Sequence, residues 1–89
     1  MPEVWIPTTM QSLTGGLQKV QIEGRTVRQV INNLEREFPG VKEILYDEEE
    51  DDLQTGIAVI VDGEASQIGL LERVQETSEV HFLPAIGGG

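Results

Sequence analysis

A chain of 89 residues has room for one domain, which buries on the order of 60–65% of its unfolded-chain surface and so can fold without cross-links. The absence of cysteine excludes a disulfide, a thiolate metal site, an iron–sulfur cluster and a thiol nucleophile, so any sulfur chemistry must use an atom supplied from elsewhere. Sixteen acidic against six basic residues give a net charge of -10, which argues against nucleic acid and anionic membrane as ligands and favours partners with basic grooves.

The first residues show no basic region followed by an apolar stretch, and no apolar segment approaches the roughly 20 residues needed to span a bilayer. A soluble cytoplasmic protein is the expectation. In chain order, Glu3 to Thr8 reads as a strand with Val4 and Ile6 on one side and Trp5 and Pro7 on the other. Leu13-Thr14-Gly15-Gly16 follows as a turn. Leu17 to Gly24 then alternates as a second strand with Val20 and Ile22 inward, and the two strands read as a hairpin.

Thr26-Val27-Arg28-Gln29 has the form of a capping box, in which a threonine hydroxyl and a glutamine amide satisfy the first free donors of a helix. Val27, Val30, Ile31, Leu34 and Phe38 recur behind it at helical spacing, which predicts an amphipathic helix over Val27–Phe38, ended by Pro39-Gly40. A further short turn over Val41–Tyr46 would pack Val41, Ile44 and Leu45. The run Asp47 to Asp52 is wholly acidic and resists burial, since its members cannot all be paired, so it reads as a solvated loop. It lacks the alternating ligands, central glycine and later glutamate of an EF-hand.

Ile57 to Val61 is apolar at every position, as in an interior strand, and Asp62-Gly63 signals a tight turn after it. Glu64 to Gln67 reads as a short returning edge strand, Leu70-Leu71 as a buried turn, and Glu79 to Ile86 as a final strand. In that strand Val80 and Phe82 lie on one face, and His81, Leu83 and Ala85 on the other.

The order strand, strand, helix, strand, short strand, strand is an α+β pattern and fits a β-grasp, a mixed sheet of four to five strands on one main helix. Residues 1–86 would form that domain and 87–89 a flexible tail. The first and last strands would lie parallel in the middle of the sheet. Because one helix covers one sheet face, Trp5, Pro7, His81 and Leu83 would gather on the other as a partner-binding face. The tail Gly87-Gly88-Gly89 has no side chains to pack and offers one reactive group, the carboxylate of Gly89.

This element order, together with Phe82-Leu83-Pro84-Ala85-Ile86-Gly87-Gly88-Gly89, resembles the ubiquitin-like sulfur carriers. They include the small subunit of molybdopterin synthase, the thiamine-pathway carrier and the carrier of thiocarboxylate-dependent cysteine synthesis. Gly88 and Gly89 match the family's terminal pair, and Gly87 stands where many members carry alanine. Ile6-Pro7-Thr8 and Leu13-Thr14-Gly15-Gly16 are most similar to the cysteine-synthesis carriers, with molybdopterin the next acceptor.

The resemblance implies a protein co-substrate rather than an enzyme. A ubiquitin-activating-like adenylyltransferase would draw Gly87 and Gly88 into its site and adenylate the Gly89 carboxylate. The resulting thiocarboxylate would serve a sulfur-accepting synthase. ATP would be used by the partner, no cofactor would be held stably, and the free chain would be a monomer. A ubiquitin-like modifier forming isopeptide bonds, and a β-grasp interaction domain with a passive tail, are the competing classes.

Catalysis by the chain's own side chains finds little support. His81, flanked by apolar residues on a strand, has no sequence-local base or nucleophile and reads as a packed or interfacial side chain. Gly15-Gly16 lacks the Lys-Ser or Lys-Thr of a phosphate loop. Trp5 suits core filling and partner anchoring equally.

Overall fold

The computed structural model describes residues 1–84. The predicted Gly87, Gly88 and Gly89, with Ala85 and Ile86, lie outside the described residues.

Five strands form one mixed sheet: β1 (Glu3–Trp5), β2 (Lys19–Gln21), β5 (Ile57–Val61), β6 (Glu64–Ala65) and β7 (Glu79–Pro84), in the order β2-β1-β7-β5-β6. The first and last strands are parallel and adjacent, with Val4 opposite Val80 and Trp5 opposite His81; the other pairings are antiparallel. Helix α1 (Val27–Glu37) closes one side of the sheet: its Val27, Val30, Ile31 and Leu34 share a buried core with Val4, Val59, Val80 and Phe82. Burying each such side chain contributes about 1.5–3 kcal/mol, so tertiary packing, more than propensity, holds this 11-residue helix. This is the β-grasp arrangement that the element order implied.

The helix start follows its sequence. Gln29 N donates to Thr26 Oγ1 at 3.2 Å, and the Gln29 side-chain oxygen accepts from Arg25 N at 2.8 Å, so the reciprocal bond lands one residue earlier than in an ideal capping box. At the other end Glu35 accepts from Gly40 N and Lys42 N, which caps the short helix α2 (Val41–Leu45) across the Pro39-Gly40 break. Val41 and Leu45 of α2 are fully buried, but Ile44 points outward, since a one-turn helix can bury only one stripe.

Three other expectations change. The connection from β1 to β2 is not a tight hairpin: residues 6–18 include a 3-10 turn (Thr8–Met10) that plugs Met10 into the core before Gly15 and Gly16 return the chain. The buried Thr14 hydroxyl holds this excursion together by donating to Leu17 O at 2.9 Å. The acidic run is not wholly a loop, because its ends pair as β3 (Tyr46–Asp47) and β4 (Asp52–Leu53). Asp51 accepts from Arg28 at 2.8 Å and from Tyr46 OH at 2.7 Å, which ties that hairpin to α1. Finally, in the 3-10 turn Gly69–Leu71, Leu70 is buried while Leu71 is exposed, as its three-residue period dictates.

The Asp62-Gly63 signal gives what it promised. Both residues have positive φ, 51° and 84°, the geometry that joins β5 to β6 without splaying the strands.

Candidate functional site: the open face of the sheet

Strand alternation sends Val4, Val80 and Phe82 into the core and therefore sends Glu3, Trp5, Glu79, His81 and Leu83 to the opposite face. Register aligns them. Lys19, Trp5, His81, Ile60 and Ala65 form one row across all five strands; Gln21, Glu3 and Glu79 form a second on one side, and Leu83 with Ala58 a third on the other.

In the middle row the Trp5 and His81 rings are stacked, with centroids 5.1 Å apart and planes 8° from parallel. The Lys19 ammonium sits 5.2 Å from the Trp5 ring centroid, within reach of a cation–π attraction. The indole Nε1 is buried and finds no acceptor among the described residues, a cost that native structures seldom accept without a reason. Leu83 is 43% exposed.

The second row sets two carboxylates, Glu3 and Glu79, directly opposite each other on adjacent strands, which disfavours the pairing. Lys19 lies 3.9 Å from Glu3, and His81 Nε2 lies 3.5 Å from Glu79, so each acid has one basic neighbour. Asp62 adds a third carboxylate at this end, where the Asp62-Gly63 turn, Ile60, Glu79 and His81 line a shallow cleft. The Glu79 backbone N–H at 2.9 Å and the Ser78 hydroxyl at 2.7 Å hold the Asp62 carboxyl below the usual carboxylate range.

Of the predicted partner-binding residues, Trp5, His81 and Leu83 share this face. Pro7 does not. It is buried, because β1 ends at Trp5 and the chain then turns into the 3-10 segment, so the alternation that would have placed Pro7 outward has already stopped. Lys19, Glu3 and Ile60 belong to the surface but were not singled out from the sequence. Their outward direction is visible in the alternation, whereas their nearness to Trp5 and His81 depends on register between strands far apart in the chain.

His81 contacts an indole and a carboxylate. Among the described residues no cluster of three His, Asp or Glu could hold a metal ion, and no helix is long and apolar enough to cross a membrane. A separate groove near the start of α1, lined by Glu23, Arg25, Arg73 and Glu76 among others, contains none of these residues.

Comparison with known proteins places the chain. A profile of the ThiS family matches residues 4–89. The sulfur carrier protein CysO of Mycobacterium tuberculosis is 33% identical over 89 residues, covering 97% of this chain and 96% of that protein. Among solved structures, a chain of the Amycolatopsis orientalis BexX/CysO complex superposes with a TM-score of 0.89 at 34% identity over 100% of both chains. The crystal structure of M. tuberculosis CysO gives a TM-score of 0.89 at 31% identity, over 96% of this chain and 99% of that one. Small archaeal modifier protein 1 from Methanosarcina acetivorans, at 20% identity and a TM-score of 0.79 over 99% and 95% of the two chains, shares the fold. With its β-grasp sheet and a family match that extends through the last residue, the chain belongs to the ThiS family.

Proposed function

We propose that the chain is a sulfur carrier that acts as a co-substrate of partner enzymes, with the carboxylate of Gly89 as its reacting group. The observation that carries this reading is full-length similarity to sulfur carrier proteins, at 33% identity over 97% of the chain.

The chemistry follows from what a carboxylate can do. A carboxylate oxygen of Gly89 attacks the α-phosphorus of ATP in the partner's site; pyrophosphate leaves and an acyl-adenylate forms. Adenylation converts an unreactive anion into an electrophile. A hydrosulfide equivalent then attacks the carbonyl carbon, the bond to AMP breaks, and a thiocarboxylate remains. In the next enzyme that sulfur is the nucleophile, and hydrolysis or cleavage afterwards regenerates the glycine carboxylate. Gly87 and Gly88 suit a narrow channel because a bare backbone needs little width and pays little for an extended or positive-φ conformation.

Cysteine synthesis is the favoured acceptor pathway, on the similarity to CysO proteins at 31–34% identity. The archaeal modifiers resemble the chain at only 20–22% identity, so they support the fold and not isopeptide formation.

The test is mass spectrometry of the full chain incubated with its adenylyltransferase, ATP and sulfide. A mass gain of one sulfur-for-oxygen exchange at the last residue is expected. A ladder of lysine conjugates in cells without that mass shift would replace the carrier with a modifier.

A further inference from the structure

We propose that the 3-10 turn Gly69–Leu71, together with the acidic hairpin β3–β4 beside it, is a docking surface on the helix side of the sheet. Its partner is a protein segment that carries two apolar side chains flanked by Lys or Arg. The proposal rests neither on the carrier reading nor on the tail.

Exposure is the first argument. Leu71 is the most exposed large apolar side chain among the described residues, at 68%, and Ile68 stands at 56%. Leu71 N donates to Ile68 O at 3.2 Å, and in a 3-10 turn side chains three positions apart stand over each other, so the two form a pair. Single exposed aliphatic residues are ordinary on a protein surface, whereas adjacent ones mark contact sites.

Rigidity is the second argument. Ser66 Oγ accepts from Ile68 N at 3.2 Å and from Gly69 N at 3.1 Å, Glu72 N donates to Gly69 O at 3.0 Å, and Leu70 between the exposed pair is buried in the core. Gly69, at φ 55°, lies so close to β4 that a Cβ would come within 2.9 Å of Asp52 Oδ1 and 3.7 Å of Leu53 Cδ1. The hairpin is fastened in turn, through Asp51 to Arg28 of α1 and to Tyr46. The apolar pair and the acids beside it are thus held in place before any partner arrives, which lowers the entropy cost of binding.

Charge selects the partner. Arg28 pairs with Asp51, and among the described residues Asp47, Glu48, Glu49, Glu50 and Asp52 have no basic partner. Such a field repels nucleic acid, anionic membrane and a second copy of a chain of net charge -10, and it steers a segment rich in Lys or Arg onto the pair. The turn packs on α1 and β4, on the side of the sheet opposite Trp5 and His81, so this contact does not compete with use of the open face.

The experiment titrates the 15N-labelled full-length chain with a synthetic amphipathic peptide that carries leucines one helical turn apart among lysines, and with a scrambled peptide of the same composition. Saturable binding is expected, with amide shifts confined to residues 46–53 and 66–72, and weakening as salt is added. The scrambled peptide, and the double variant Ile68→Ser with Leu71→Ser, are each expected to bind roughly tenfold more weakly or worse. Circular dichroism melts verify that the variant folds; if it melts early, the wild-type shift map and the comparison of the two peptides decide. The absence of saturable binding, equal affinity for the two peptides, or shifts centred on Trp5, His81 and Leu83 overturns the proposal. A dimer in sedimentation equilibrium that Leu71→Ser dissociates also overturns it, by giving the pair to a second copy.

Discussion

The Trp5 indole lies flat on the His81 imidazole, 5.1 Å between centroids, although 75 residues separate the two in sequence. Parallel pairing of the first and last strands puts them side by side, and the absence of a helix over that face leaves them half-exposed. The contact thus reports directly on the register at the centre of the sheet. Removing the ring with His81→Ala is expected to cost about 0.5–1.5 kcal/mol and to change Trp5 emission. Urea denaturation followed by fluorescence checks both, and an unchanged midpoint with unchanged emission would mean that the rings do not touch in solution.

Neighbouring positions on β7 should respond very differently. Phe82 is 1% exposed at the junction of sheet and α1, so Phe82→Ala is expected to cost about 3–5 kcal/mol, a large part of the 5–15 kcal/mol typical of a small domain. Leu83→Ala, on the open face, is expected to stay within about 0.5 kcal/mol. Equal losses at the two sites in thermal melts would contradict the strand's orientation.

Gly24 sits at φ 157° with the start of α1 pressed against it. A Cβ there would lie 2.8 Å from Val30 Cγ2 and 2.9 Å from Val30 N. The side-chain methyl could rotate, but the backbone nitrogen of a helix cannot move without disturbing its hydrogen bond to Thr26 O. Gly24→Ala is expected to destabilise by about 1–3 kcal/mol, and a Tm equal to wild type would show that this junction has room to spare.

Acid should loosen the end of the sheet at the Asp62-Gly63 turn. The Asp62 carboxyl is held low first by the Glu79 backbone N–H and then by the Ser78 hydroxyl, so its folded pKa lies below the unfolded one. That sign makes its contribution present above the unfolded value of about 4 and progressively lost as pH falls through the folded value. Asp62→Asn tolerates the positive φ at this position and keeps the turn, while removing the titration. A Tm profile from neutral to strongly acidic pH should fall less steeply for the variant; parallel profiles would remove Asp62 from the acid response. Asp51, lowered first by its bond to Arg28 and then by Tyr46, has the same sign, so Asp51→Asn should flatten another part of the fall.

On the carrier reading, Gly88→Ala is expected to slow thiocarboxylate formation, because the added methyl would have to enter the partner's channel. Mass spectrometry of the variant after incubation with adenylyltransferase, ATP and sulfide gives the reading. A yield and rate equal to wild type would remove the narrow-channel argument for glycine.

Much of this was legible in the chain. The period of Val27, Val30, Ile31 and Leu34, the Thr26 cap, the Asp62-Gly63 turn and the unbroken apolar run at Ile57 are local patterns, and local sterics and hydrogen bonding suffice to impose them. The lack of cysteine and the charge of -10 also restricted the chemistry before any fold was considered. Pro7, Ile44, Leu71 and the β1–β2 connection were misread because each depends on where an element stops. A strand that ends three residues early, or a helix of one turn, is decided by what the core can accommodate at that point.

The residues themselves thus determined most of the elements and the two-sidedness of the strands. Only the tertiary structure decided that Lys19, Trp5, His81 and Ile60 would share a row and that Glu3 would face Glu79. Those neighbours come from strands that meet across the whole length of the chain, and no local preference fixes such a register; the shared burial of Val4, Val80, Phe82 and Val59 against one helix does.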